Sequence, residues 1–354
     1  MSALNTKRRS QKGATSDLTE DTFEEVEKNL TSTLDNLTTY FEINHLKANP
    51  QKTQVCAFHL RNHVAKRPLK ISWSGTSLEH CPNPIYLGVT LDRSLSYKQH
   101  IEKTKAKTNT RNNILRKLVS TTWGAKPPLL RTSALALSYS TAEYACPVWE
   151  RSAHAKKLDP TLNDTCRLIT GCLKPTNTTN LHILAGIAPP NIRREVASRN
   201  ERQKQSTDER HLVFGKTAAK QRLKSRKSFL SHTITPTATA SAERVSLWKT
   251  EIQKAPPTHN MKIPPSESLP KGKDETWPKW KCLNRLRSRV GRTRVEMQRW
   301  GYSTDPTNCD CGTAPQDTTH LLICPLLPNP CTTEDLAEYN TQAQECVKKW
   351  LAHV

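Results

Sequence analysis

Four residues near the C-terminal end have the types and spacing of a metal site: Cys309-Asp-Cys311-Gly312, then His320-Leu-Leu-Ile-Cys324. Three thiols and one imidazole are the donor set of a closed tetrahedral zinc centre. Gly312 lets the chain turn tightly behind the second thiol, so Cys309 and Cys311 belong on a turn. His320 and Cys324 stand four apart and belong on one face of a short helix. A closed donor set leaves no position for substrate, so the expected Zn2+ is structural. Cys331 is a substitute ligand within reach in sequence. The plainer alternative is ordinary thiols beside an ordinary histidine.

Little else has the composition of a reaction centre. The chain has no Asp-Asp pair and no Walker-type or dinucleotide-binding glycine loop, and the residues after Cys324 hold no nuclease-like set of carboxylates and lysine. The second concentrated signal is charge. Of 354 residues, 54 are Lys or Arg and 32 are Asp or Glu, a net charge of +22. Three blocks hold nearly all of that surplus: residues 98–117 at +6, 193–227 at +8 and 279–300 at +7. Blocks of one sign point to a polyanion, and nucleic acid is the usual one. The candidate contacts are Lys98, Lys103, Lys105, Lys107 and Arg111, then Arg193 and Arg194, then Arg285, Arg287, Arg289 and Arg292. Trp277, Trp280, Trp300 and Tyr302 lie close to the last block, where aromatic rings stack on unpaired bases or simply fill a core.

Composition bounds the rest. Hydrophobic residues make up 35%, enough for one packed core of moderate size with much of the chain exposed. Met1 to Asp17 is polar and has no secretory pattern, and no apolar run reaches membrane-spanning length. The expectation is therefore a nuclear or cytoplasmic chain, with Lys7-Arg8-Arg9 a minimal nuclear signal, no membrane partner and unused sequons such as Asn29-Leu-Thr31. The 11 cysteines are then reduced thiols or metal ligands.

These residues need elements to hold them. Asp21 and Glu24 resemble a capping box, and Phe23, Val26, Leu30, Leu34, Leu37 and Phe41 recur at helical spacing, which predicts one amphipathic helix ending near His45. Pro50 stops it. Strands are predicted at Gln54–Phe58 and Leu69–Trp73, with a turn at Ser74-Gly75. Ile85 to Leu91 then reads as a buried strand, a bend at Gly88 and a second short strand. That order fits a helix on a small antiparallel sheet. Helices follow at 96–119, after Pro127-Pro128, at 155–172 with a stop at Gly171, at 181–187, and at 191–205. Residues 216–276 shift to Lys, Ser, Thr, Ala and Pro and read as a linker with a helix at 241–254. A basic helix is predicted over 279–300. The fold class is α+β, mostly α. Its parts are a disordered N-terminus (1–20), a helix–sheet unit (21–95), a helical domain (96–207), a linker (208–276), and a basic helix with the Cys/His segment (277–354).

Five segments in order, "NHLKANPQKTQVCAF", "YLGVTLDRSLSYKQHI", "SALALSYSTAEYACPVW", "RLITGCLKPT" and "LHILAGIAPP", resemble the C-terminal part of a non-LTR retrotransposon reverse transcriptase of the jockey-like kind. "CDCG…HLLIC" is similar to the Cys/His knuckle of such elements. The resemblance covers roughly residues 22–205 and 280–326. It implies a partial palm at 21–95, with Lys52 beside Asn49 and Thr53 as an accessory residue near the incoming nucleotide. It also implies a primer grip at Leu87 and Gly88, and a thumb at 96–207 whose basic helices follow a template–primer backbone.

The sequence departs from that family in one respect. Reverse transcriptases hold two divalent ions, Mg2+ in an intact member, with carboxylates partly from an Asp-Asp turn before the first helix. Here that position reads Lys12-Gly-Ala-Thr-Ser-Asp17, and the fingers and first half of the palm have no counterpart. The sequence therefore predicts binding to RNA and DNA without polymerase activity by itself, no catalytic residues, and a dNTP partner only in a chain completed upstream. The alternatives are a co-opted, non-enzymatic nucleic-acid-binding or scaffold protein, and an incomplete reading of an active endonuclease–reverse transcriptase.

Overall fold

The computed structural model describes residues 23–58, 67–120, 122–218, 228–233, 239–254 and 261–354. It divides into two compact units, Met1–Leu95 and Ser96–Val354. The capping residue Asp21 lies outside the described residues.

The first unit is built on α1 (Phe23–Ile43). Its apolar positions Phe23, Leu30, Leu34, Leu37 and Phe41 pack on buried Leu69, Ile71, Trp73 and Leu78. The Trp73 indole N–H donates to Thr38 Oγ1 at 2.7 Å, so the one polar atom of that ring is satisfied at the helix surface. Three short ladders follow. β1 (Gln54–Val55) runs parallel to β4 (Glu79–His80), while β2 (Ser72–Trp73) pairs antiparallel with β3 (Thr76–Ser77). β5 (Ile85–Tyr86) pairs antiparallel with β6 (Val89–Thr90) through a two-residue turn at Leu87-Gly88. Both turn residues have positive φ, 46° at Leu87 and 79° at Gly88, the backbone that tight hairpins require.

Two expectations are corrected here. The sheet is not one antiparallel layer but three separate pairs, one of them parallel, because β3 and β4 intervene where no strand was predicted. The first strand of the hairpin is not buried: Ile85, Tyr86 and Leu87 are 63%, 57% and 74% exposed, and only β6 faces inward. Two-residue strands are too short to show alternation, so apolar content alone could not separate an inner strand from an outer one.

Among the described residues, the second unit is built of helices, with isolated bridges between Val119 and Gly124 and between Asn308 and Pro315. α2 (Lys98–Arg116) and α6 (Asp159–Thr170) meet along a polar seam. Buried Asn112 donates to the Thr161 carbonyl at 3.0 Å and accepts from Ser138 and Thr165, each at 2.8 Å. α3 (Pro127–Ala134) opens on its prolines and continues through a π turn at Leu135–Tyr139 into α4 (Ser140–Ala142). A break at Ala145 in the left-handed region leads to α5 (Cys146–Trp149). Gly171 and Gly186 end α6 and α7 (Thr178–Ala185), and Pro190 starts α8 (Pro190–Thr207).

Within the predicted linker, residues 239–254 and 261–276 are packed structure, while 208–218 are largely exposed turns. α9 (Ala240–Lys254) lays Trp248 against Ile183, Ile192 and Val196. A Cβ on Gly186 would stand 2.4 Å from the Ser268 backbone, so the 261–276 stretch presses directly on the end of α7. The regions read as two domains, 96–207 and 277–354, share one core. Leu162, Cys166, Leu181 and Leu184 cluster with Trp280, Leu283, Leu286, Val347 and Trp350. The predicted basic helix is split into α10 (Trp277–Ser288) and α11 (Arg294–Arg299), because Arg289 takes a left-handed φ of 54°.

Candidate metal centre

The Cys/His segment is held by backbone pairing before any metal is considered. The Cys309 amide donates to the Ala314 carbonyl at 2.9 Å, and the Gln316 amide to the Thr307 carbonyl at 2.7 Å, closing a tight loop with an isolated bridge between Asn308 and Pro315. Gly312 sits at φ 74° in the turn and donates to the Cys309 carbonyl. Asp317 Oδ1 accepts from the Thr319 and His320 amides at 2.9 and 2.7 Å, which starts α12 (His320–Ile323) at the histidine. Arg294 ties this loop from outside, through the Asn308 carbonyl and Asp310. Trp350 of α14 (Thr341–Trp350) donates its indole N–H to the Leu321 carbonyl at 2.8 Å and seats α12 on the core.

The four donor atoms of Cys309, Cys311, His320 and Cys324 lie within 4.8 Å of one another. Cys309 Sγ and Cys324 Sγ are 3.8 Å apart, close to the ~3.8 Å edge of a tetrahedron with metal–sulfur bonds of about 2.3 Å. Cys311 Sγ stands 3.2 Å from His320 Nε2. The Thr313 hydroxyl, followed by its amide, holds the Cys311 thiol below its ordinary value, which favours the thiolate that a metal needs. Burial pushes the Cys324 thiol up to about 11, so a metal there must displace its proton. The set can hold a metal ion. Cys331 is not part of it: its thiol donates to the Thr332 carbonyl at 3.7 Å.

The arginines assigned to nucleic acid from sequence divide sharply. Arg285 and Arg287 are buried at 6% and 7% exposure and serve as internal clamps. Arg285 donates to the Gly171 and Val354 carbonyls, and Arg287 to Leu336, Lys271 and Ala337. Arg193 forms a two-point pair with Glu143 and a further contact to Glu267. Burial works against its charge, but the Glu143 carboxylate outweighs that and holds its pKa above the ordinary value. Arg194 is 5% exposed and bound to Asp159 at 2.7 Å. None of these four faces solvent as a phosphate contact must, whereas Arg289 and Arg292 are exposed. Trp277 and Trp280 are core residues whose indoles donate to the Ser120 and Ile169 carbonyls; Tyr302 is 75% exposed.

α2 is different. Lys98, Lys103, Lys105, Lys107 and Arg111 are all exposed, as are Arg116 and Lys117. The one acidic residue of that stretch, Glu102, pairs with Lys157. Lys98, Lys105, Lys107 and Arg111 have no carboxylate partner among the described residues. Lys52 is exposed at the end of a 3-10 turn capped by Asn49, whose side chain accepts from the Lys52 amide at 3.1 Å. Leu87 and Gly88 form the exposed hairpin tip.

One constellation escaped the sequence reading. Tyr139 Oη, Cys166 Sγ, His182 and Asn163 Oδ1 form a chain, with separations of 3.2, 3.7 and 3.0 Å. Thiol, imidazole and amide in this order are the parts of a cysteine hydrolase. Burial, however, pushes Cys166 up to about 12 and His182 down to about 4, the reverse of an activated pair. The chain is a satisfied polar thread through the helical core. No spacing rule could have found it, since its members come from three helices.

No family model matches the sequence, and neither curated proteins nor solved structures hold a match. Among the described residues no helix is long and apolar enough to cross a membrane.

Proposed function

We propose that this chain is a nucleic-acid-binding portion of a non-LTR reverse transcriptase that holds RNA–DNA template–primer through the exposed basic surface of α2. The observation that carries this is the contrast within one charge surplus. Arg193, Arg194, Arg285 and Arg287 are consumed internally, while seven Lys and Arg of residues 98–117 stand in solvent against a single, already paired glutamate. Lysine and arginine held out on a rigid helix supply sequence-independent phosphate affinity through counterion release. On this reading residues 21–95 are the palm remnant with Leu87-Gly88 as primer grip and Lys52 near the nucleotide, and α2 to α8 are the thumb. Arg289 and Arg292 add charge beside a knuckle whose metal is structural zinc. The sequence carries no Asp-Asp pair, so no polymerase chemistry is assigned to these residues.

The test is binding of the full chain to an RNA–DNA duplex across a salt series. The logarithm of affinity is expected to fall linearly with the logarithm of salt. Affinity that ignores salt defeats the reading.

A further inference from the structure

Two thiols of the first unit follow directly on the ends of neighbouring paired strands. In the parallel pair of β1 and β4, Gln54 lies opposite Glu79 and Val55 opposite His80. The Cys81 amide continues the ladder to the Val55 carbonyl at 2.9 Å. Extending that register by one residue sets Cys56 opposite Cys81. Side chains alternate along a strand, so this pair shares a face with exposed Gln54 and Glu79, two residues further on. Both cysteines are free and half-buried, within reach of a small solute.

We propose that Cys56 and Cys81 form a reversible disulfide when the protein meets a peroxide. Neighbouring strands lie roughly 4.8 Å apart. Disulfides span Cα separations of about 4.4–6.8 Å, so the pairing needs no large backbone shift. The two residues lie just past the last paired positions of the ladder, where the backbone can adjust to the dihedral a disulfide demands.

The chemistry balances with hydrogen peroxide as oxidant. The Cys81 thiolate attacks one peroxide oxygen, the O–O bond breaks, and the leaving hydroxide takes the thiol proton as water. Cys81 is then a sulfenic acid. Cys56 attacks that sulfur, the S–S bond forms, the S–O bond breaks, and a second water leaves. Two thiols lose two electrons, and the peroxide is reduced to two waters. Burial, and after it the neighbouring Cys81, hold the Cys56 thiol above its ordinary value, which leaves less thiolate on Cys56 to meet peroxide.

The experiment uses the full chain with its metal bound, treated with a small molar excess of hydrogen peroxide. Remaining thiols are then alkylated and peptides mapped by mass spectrometry without reduction. The expected result is a linked pair of peptides carrying Cys56 and Cys81, two hydrogens lighter than the reduced pair and lost on treatment with dithiothreitol. In Cys56→Ser, Cys81 should stop at a sulfenic acid that dimedone traps. Recovery of both cysteines as alkylated thiols after oxidation, or linkage of either mainly to another cysteine, overturns the proposal.

Discussion

At the scale of single residues, burial decides what charge and thiol can do. The Cys/His set was legible because its ligands fall within a short stretch and the spacing itself carries the geometry. Removing one ligand should therefore be specific: after loading with zinc, Cys309→Ser is expected to retain less metal than the native chain, read as metal content, while equal retention would refute the site. Arg285 and Arg287 were not legible. Their carbonyl partners, Val354, Leu336 and Lys271, are remote in sequence, and nothing in a basic run says which side chains turn inward. His182 gives a pH prediction with a definite sign. Its pKa falls from 6.5 to about 4 on folding, so between those values the unfolded chain binds the extra proton. The stability it contributes is full above about pH 6.5 and is lost as pH falls toward 4. A shift of this size is about 3 kcal/mol. Chemical denaturation across that range should show the loss, and His182→Gln should flatten the dependence; an unchanged slope in the variant would contradict the assignment.

At the scale of elements, helices with proline starts and glycine stops were read well. α1, α2 and α6 appear where spacing placed them, and α8 opens on Pro190. What the sequence could not reveal was the character of the α2 interface. Its buried positions His100, Thr104, Thr108 and Asn112 are polar, so the helix had few apparent core residues. Asn112 carries that interface, and Asn112→Ala should cost about 3 kcal/mol, because the Ser138 hydroxyl and the Thr161 carbonyl each lose a buried partner. Denaturant unfolding of the variant measures it; a loss under about 1 kcal/mol would mean that water replaces the amide without strain. The β5–β6 hairpin carries backbone strain at its tip. Leu87 is exposed and takes a left-handed φ that asparagine or glycine tolerates better. Leu87→Asn is expected to raise stability of the first unit by about 1 kcal/mol while weakening binding to a primer terminus. Unchanged binding would remove the hairpin tip from the proposed interface.

At the scale of the whole molecule, net charge suggests a class of partner but not a surface. The surplus of +22 is distributed in three blocks that look alike in sequence, yet the described parts of two of them spend arginines on carboxylates and carbonyls inside the second unit. The same mixing of roles hid the architecture. Residues 261–276 have a linker's composition, but Glu267 accepts from Arg193, Arg244 and Ser241, and its carbonyl accepts from Arg131, so four side chains lock that stretch to the helices. Polar residues recruited into such a hub are indistinguishable by composition from solvated ones. The central claim is that the exposed face of α2, and not total charge, holds nucleic acid. The direct measurement compares the salt dependence of duplex binding for the native chain and for a variant carrying Lys105→Ala, Lys107→Ala and Arg111→Ala. Each phosphate contact contributes about 0.9 to the slope, so the account predicts a slope shallower by up to about 2.7, with weaker binding at every salt. An unchanged slope with unchanged affinity would contradict it.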